Sequence, residues 1–130
     1  MLLFVYGTLR RDCPTGAHER YLSGARWLGK ARVKGRLYQV TYYPALVIDG
    51  IDTNDWVTGE IYELTNEDQL LALDAYEECS YPAKPEDEYR REQLEVIGES
   101  GDRLYAWSYV YQRQPDSLSL ISSGDFLAHR

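Results

Sequence analysis

Met1-Leu-Leu-Phe-Val-Tyr-Gly-Thr-Leu-Arg10 is the stretch from which the rest of the chain is read. Leu2 to Tyr6 is a short unbroken apolar run, the mark of a buried strand. Gly7 follows at once. A glycine directly after a strand lets the backbone turn sharply and approach another group closely. Successive N–H groups in such a strand-to-loop turn can form an anion-binding concavity, with Gly7 leaving room for a carboxylate at the main chain. The same residues can also be an ordinary strand end closed by a glycine turn.

Outward from this strand, Pro14 to Ser23 can hold a short helix ended near Gly24. Val33 to Val40 reads as a strand. Tyr42 to Ile48, with Pro44 inside it, reads as an edge or irregular strand. Asp49-Gly50 marks a turn, and Trp56 to Leu64 alternates as a strand should. Asn66 to about Tyr76 is the clearest helix: Thr65 can cap it, with Asp68 in a capping-box-like position and Glu67 in the first turn. Residues 79–88 carry two prolines and read as a solvated loop. Tyr89 to Ile97 and Arg103 to Tyr111 are two further strands, joined through Gly98–Asp102 as a looser hairpin. About six strands and two or three helices, with short links and no internal repeat, predict an α+β fold. Its centre would be a small mixed, mostly antiparallel β-barrel with flanking helices.

The 130 residues suit one domain spanning 1–130, with 44% apolar and 27% charged residues. A net charge of −7, with no basic run longer than the pairs Arg10-Arg11 and Arg90-Arg91, argues against nucleic acid and against an anionic membrane surface. No apolar run approaches a membrane span, and the first residues lack the marks of a signal peptide. Neither a GxGxxG unit nor a P-loop occurs. Cys13 and Cys79 are far apart, and His18 and His129 are the only histidines. No spacing supports a metal site, so reduced thiols in a cytoplasmic protein are expected, with no metal and no cofactor. Twelve tyrosines against two phenylalanines suggest a half-wet interior, such as a barrel or a cleft.

Three sets of residues can carry chemistry. The first is Tyr6, Gly7, Thr8 and Leu9. The second is Glu77, which continues the Leu70–Leu73 face of the helix at or just past its end. A carboxylate there is partly desolvated, which raises its pKa towards neutrality and suits a general acid/base; alternatively the helix ends earlier and the side chain meets solvent. Asp74 and Glu78 are rivals off that face. The third set is Tyr89 together with Tyr105, Trp107, Tyr109 and Tyr111, the last four sharing one strand face. That stripe is either core or the lining of a cleft. Arg90 and Arg91 can bind a carboxylate, or pair locally with Glu88 or Glu92.

Phe4-Val-Tyr-Gly-Thr-Leu-Arg10 resembles the N-terminal signature of the γ-glutamylcyclotransferase-like superfamily, and Leu73-Asp-Ala-Tyr-Glu77 resembles its LDxxE segment. Tyr43-Pro-Ala-Leu46, Val57–Tyr62, Tyr89-Arg-Arg91 and Trp107–Tyr111 are similar to the family in the same order, and Ile121–Asp125 more weakly. The resemblance implies a small barrel with a cleft at the YGTL loop. It implies that the loop's amides hold the glutamyl carboxylate of a small γ-glutamyl substrate, with Glu77 as catalytic acid/base. By the same carry-over Tyr6, Gly7, Thr8 and Leu9 become substrate-loop residues and Tyr89 a substrate-contacting tyrosine; Tyr111, from the strand stripe, is expected to bind substrate as well. Glu78 stands where many relatives have glycine, and the acidic loop 79–88 can reshape the rim. The implied reaction releases 5-oxoproline and an amine. The alternatives are a binding module on the same barrel, or an enzyme cleaving another amide or ester. Neither the leaving amine nor the oligomeric state is legible.

Overall fold

The computed structural model describes residues 1–48 and 54–128. The expected turn at Asp49-Gly50 and the histidine at 129 lie outside them.

Five strands close into a barrel: β1 (Leu2–Val5), β2 (Arg26–Lys34), β5 (Trp56–Glu63), β6 (Tyr89–Gly98) and β7 (Arg103–Tyr111). Between β2 and β5 lie β3 (Arg36–Gln39) and β4 (Pro44–Val47). With β8 (Ser119–Leu120) they form a second, three-stranded sheet. Helix α1 (Ala17–Tyr21) follows β1, and α2 (Glu67–Tyr76) links β5 to β6. Barrel neighbours pair antiparallel, except that β1 meets β7 in parallel at Leu3 and Trp107. This is the mixed, mostly antiparallel barrel expected from the sequence.

The barrel is narrow enough to dictate residue size. A Cβ on Gly59 would lie 2.2 Å from the Val5 carbonyl oxygen and 2.6 Å from the Phe4 ring, so β5 can carry only glycine there. Phe4, Val33, Val57, Val96, Ala106 and Val110 fill one core cluster. Leu3, Leu70, Leu73, Tyr89 and Tyr109 belong to a second, between barrel wall and α2.

Two boundaries differ from expectation. The expected strand Val33–Val40 is the end of one strand and the start of another, divided at Gly35. A Cβ there would lie 2.9 Å from the Val47 carbonyl oxygen. The first part of β2 carries a weak sequence signal because its inward residues are Gly29 and Ala31. Small inward side chains between outward Lys30, Arg32 and Lys34 give a weak hydrophobic alternation. The second difference is the cap of α2. Asn66, not Thr65, accepts the Gln69 N–H at 3.1 Å, and Gln69 returns a bond by accepting from the Thr65 N–H at 2.9 Å. The reciprocal logic of a capping box holds, displaced by one residue.

Candidate active site

The end of β1 and the end of α2 meet at one cleft of about 250 Å³. That is below the range of drug-sized sites and suits a group the size of an amino acid. Tyr6, Gly7, Thr8 and Leu9 line one side; Tyr76, Glu77 and Glu78 line another; Tyr43, Glu88, Tyr89 and Tyr109 complete the wall.

The loop is built to stay put. The Arg10 N–H closes a turn on the Gly7 carbonyl at 3.0 Å. The Arg10 side chain is buried, donating from Nε to Glu60 at 2.9 Å and from Nη1 to Asp125 at 2.7 Å. Glu60 in turn accepts from the Arg11 N–H and from Trp27 Nε1. Gly7 is required by close approach: a Cβ there would sit 2.7 Å from Pro44 Cγ and Cδ. Tyr6 donates its hydroxyl to the Tyr109 carbonyl at 2.6 Å. Thr8 Oγ1 meets the Tyr76 hydroxyl at 3.1 Å, bridging the loop to α2.

Glu77 sits at the C-cap of α2. Its N–H still bonds the Leu73 carbonyl at 2.9 Å, so the helix direction carries through to it. The chain then leaves in a Schellman turn: Glu78 N–H to the Ala75 carbonyl at 3.1 Å and Cys79 N–H to the Asp74 carbonyl at 2.8 Å. Glu78 takes the left-handed position with φ 53°, the place where glycine is favoured, and its side chain is exposed. Burial in the cleft pushes the Glu77 carboxyl up from 4.5 to about 7, with the charge of Glu88 adding to it. The negative end of the helix dipole acts in the same direction.

Glu88 is the acid that sequence reasoning treated only as a local partner for arginine. Tyr43 donates its hydroxyl to the Glu88 carboxylate, 2.8 Å from one oxygen and 3.0 Å from the other, and Arg113 stands 3.5 Å away. Burial and this bond push the Tyr43 phenol up to about 12, which keeps it a donor. No sequence signal singled Glu88 out, because its facing partners, Tyr43 and Glu77, come from distant segments.

Tyr89 is buried in the wall and gives its hydroxyl to the Pro44 carbonyl at 2.8 Å. Tyr111 stands behind it, stacked edge-on at 5.6 Å between ring centroids, and is not among the residues of the cleft wall. The aromatic stripe of β7 therefore splits. Tyr109 reaches the cleft, Tyr105 is largely exposed, and Trp107 packs against Tyr81. Of the arginine pair, Arg90 pairs with Glu92 at 2.7 Å, whereas Arg91 is buried against Asp74 at 2.9 Å. Asp74 is thus a fixed ion-pair partner and not a free rival to Glu77. Cys13 and Cys79 are free thiols and buried. Among the described residues no group of three or more His, Cys, Asp or Glu gathers as metal ligands would. No described helix is long and apolar enough to cross a membrane.

Known proteins share both the sequence pattern and the architecture. The chain is 34% identical over 128 residues to the gamma-glutamylcyclotransferase family protein YtfP of Escherichia coli, covering 98% of this chain and 96% of that one. It is 35% identical over 113 residues to the gamma-L-glutamyl-butirosin B gamma-glutamyl cyclotransferase of Niallia circulans, covering 85% of this chain and 67% of that protein. The crystal structure of an aig2-like protein from Mus musculus superimposes with a TM-score of 0.76 at 28% identity, over 96% of this chain and 86% of that one. The family model described as gamma-glutamyl cyclotransferase, AIG2-like, matches residues 3–128, and the chain belongs to that family.

Proposed function

We propose that this protein converts a γ-glutamyl amine or peptide to 5-oxoproline and a free amine, with Glu77 as the proton-transfer group. The observation that carries the reading is Glu77 itself. It is a carboxyl held near pKa 7, across a small cleft from a rigid glycine loop, in a chain of this family.

The chemistry needs few groups because the nucleophile belongs to the substrate. The α-amine and the γ-carbonyl carbon are already in one molecule, so ring closure has the proximity advantage of an intramolecular step. Bound with its α-carboxylate against the Tyr6–Leu9 backbone, the substrate presents its α-ammonium to Glu77. Glu77 takes one proton and the freed amine attacks the γ-carbonyl. The new C–N bond closes the five-membered ring, and the charge on oxygen is met by backbone N–H groups or a tyrosine hydroxyl. Glu77 returns the proton to the leaving nitrogen and the old amide bond breaks. The second proton shed by the ring nitrogen leaves on the released amine. A carboxyl near pKa 7 can both accept and donate at neutral pH. Tyr89 and Tyr109, whose hydroxyls are already committed to protein partners, shape the wall. The two free buried thiols suit a reducing compartment, and we assign the enzyme to the cytoplasm.

The test is mass-spectrometric detection of 5-oxoproline from a panel of γ-glutamyl dipeptides, glutathione, ε-(γ-glutamyl)lysine and γ-glutamyl amines. Wild type should release product and Glu77→Gln should not. Full activity in Glu77→Gln would remove the assigned base. Tight binding of the panel without turnover by the wild type would favour a binding module instead.

A further inference from the structure

Asp74 is the buried acid of α2, and this mechanism gives it no task. Its side chain is buried, and so is that of Arg91. Arg91 Nε donates to Asp74 Oδ1 at 2.9 Å, and the Tyr109 hydroxyl donates to the same oxygen at 2.7 Å. The guanidinium of Arg91 lies against two rings set edge-to-face to each other, 3.9 Å from the centroid of Tyr81 and 4.5 Å from that of Trp107. The cation is therefore held by two aromatic rings as well as by the Asp74 carboxylate.

A buried ion pair of this kind is weak grounds for stability, because desolvation offsets its attraction. Its place in the fold gives it another use. The main-chain carbonyl of Asp74 accepts the Cys79 N–H in the turn that ends α2, three residues from Glu77. Its side chain meanwhile ties the same helical turn sideways to β6 through Arg91 and to β7 through Tyr109. Tyr109 also works at its other end. Its carbonyl accepts the Tyr6 hydroxyl at 2.6 Å, one residue before Gly7. One residue of β7 thus holds both halves of the cleft, the turn that carries Glu77 and the strand that carries the loop. Burial, then the bond to Asp74, pushes the Tyr109 phenol far above its ordinary range. It stays a donor and fixes geometry.

We propose that Asp74, Arg91 and Tyr109 are positioning residues, a clamp that sets the Glu77 carboxyl at its distance from the Tyr6–Leu9 loop. The inference rests on the cyclotransferase reading for its kinetic consequence and on the fold alone for its geometric one. The groups around Glu77 that feel its charge are Glu88 and the phenols of Tyr6, Tyr76, Tyr89 and Tyr109. A turn that drifts from this wall leaves those neighbours and meets water.

Removing one charge alone would strand its buried partner, so the test is a pair of milder variants. Tyr109→Phe keeps the ion pair and removes one tie. Asp74→Leu with Arg91→Met removes both charges together. Each is compared with wild type in 5-oxoproline kinetics and in a ¹³C NMR titration of the Glu77 side-chain carboxyl. We expect kcat to fall about 10-fold in Tyr109→Phe and about 100-fold in the double variant, with KM within about 3-fold, as misplacement of a catalytic group produces. We also expect the Glu77 midpoint to drop from near 7 towards 4.5 in the double variant. A folded double variant with wild-type kcat and an unmoved Glu77 midpoint overturns the proposal. If wild type releases no 5-oxoproline from any substrate, the cyclotransferase reading fails, and the titration by itself decides whether the clamp places Glu77.

Discussion

Replacing Glu77 by glutamine should destroy activity and, at alkaline pH, make the protein more stable. The folded chain holds this carboxyl near 7, whereas the unfolded chain releases its proton near the usual 4.5. Below pH 4.5 both states keep the proton and the residue costs nothing. Between 4.5 and about 7 the folded state binds the proton that the unfolded state has lost, so wild-type stability declines as pH rises. Above 7 the cost is complete. At 1.36 kcal/mol per pH unit the interval corresponds to ~3 kcal/mol. A neutral glutamine avoids that cost but must bury an amide at every pH, so a net gain of ~2 kcal/mol is expected at pH 8 and a net loss of ~1 kcal/mol at pH 4.5. For a chain of this size that raises Tm by about 8 °C. Urea unfolding of both proteins from pH 4.5 to 8 measures it. The difference between them should open between pH 5 and 7 and then level off. A difference that stays flat across this range would refute the claim that the fold holds Glu77 protonated against its preference, and with it the account of why this residue can act as acid and base. Such a trade of stability for function is what a working site in a marginally stable fold should show.

Other expectations follow from single contacts. Glu88→Gln removes the charge that adds to the raised pKa of Glu77, so the acid limb of the kcat/KM profile should move to lower pH; an unmoved limb would mean that burial alone sets it. Gly7→Val puts a Cβ 2.7 Å from Pro44 and should abolish binding of 5-oxoproline in a folded protein, as read by calorimetry; unchanged affinity would remove the loop from the site. Glu78→Gly relieves the left-handed strain at φ 53° and should add ~1 kcal/mol in urea unfolding, whereas a loss would show that the Glu78 side chain makes a compensating contact. The cleft is walled by the carboxylates of Glu77, Glu78 and Glu88, with no lysine or arginine among its described lining residues. A γ-glutamyl diamine should therefore exceed γ-glutamyl-glutamate severalfold in kcat/KM, and equal values would show that the leaving group does not feel these charges.

How much of this was legible in the sequence depended on the range of the signal. Tyr6-Gly-Thr-Leu9 announced itself because strand and turn are contiguous. Glu77 did so because its spacing from Leu70 and Leu73 is a local helical property. Both landed in the cleft. The first part of β2 did not show, since the narrow barrel demands small inward residues there and small residues carry little hydrophobic contrast. Asp74 was legible only as a rival to Glu77 and Glu88 only as a local partner for arginine, for a different reason. Each is an ordinary acid in its own segment and gains meaning only from partners far off in the chain, Tyr43 for one and Tyr109 for the other.

The aromatic stripe of β7 shows why residue type and parity cannot by themselves assign a role. Tyr105, Trp107, Tyr109 and Tyr111 share one strand face, yet they go in order to solvent, to a cation stack, to the cleft and to the core behind Tyr89. What separates them is what the rest of the chain lays across that face at each height: the loop after α2 over Trp107, through Tyr81, and the last turn of α2 over Tyr109. The hydroxyls follow the same logic. Tyr6, Tyr43, Tyr89 and Tyr109 each give theirs to a carbonyl or carboxylate, so the wall is polar in composition yet supplies few free donors. On the proposed cyclotransferase reading, a cleft lined in this way leaves proton transfer to Glu77, whose carboxyl is pushed by burial up to about 7.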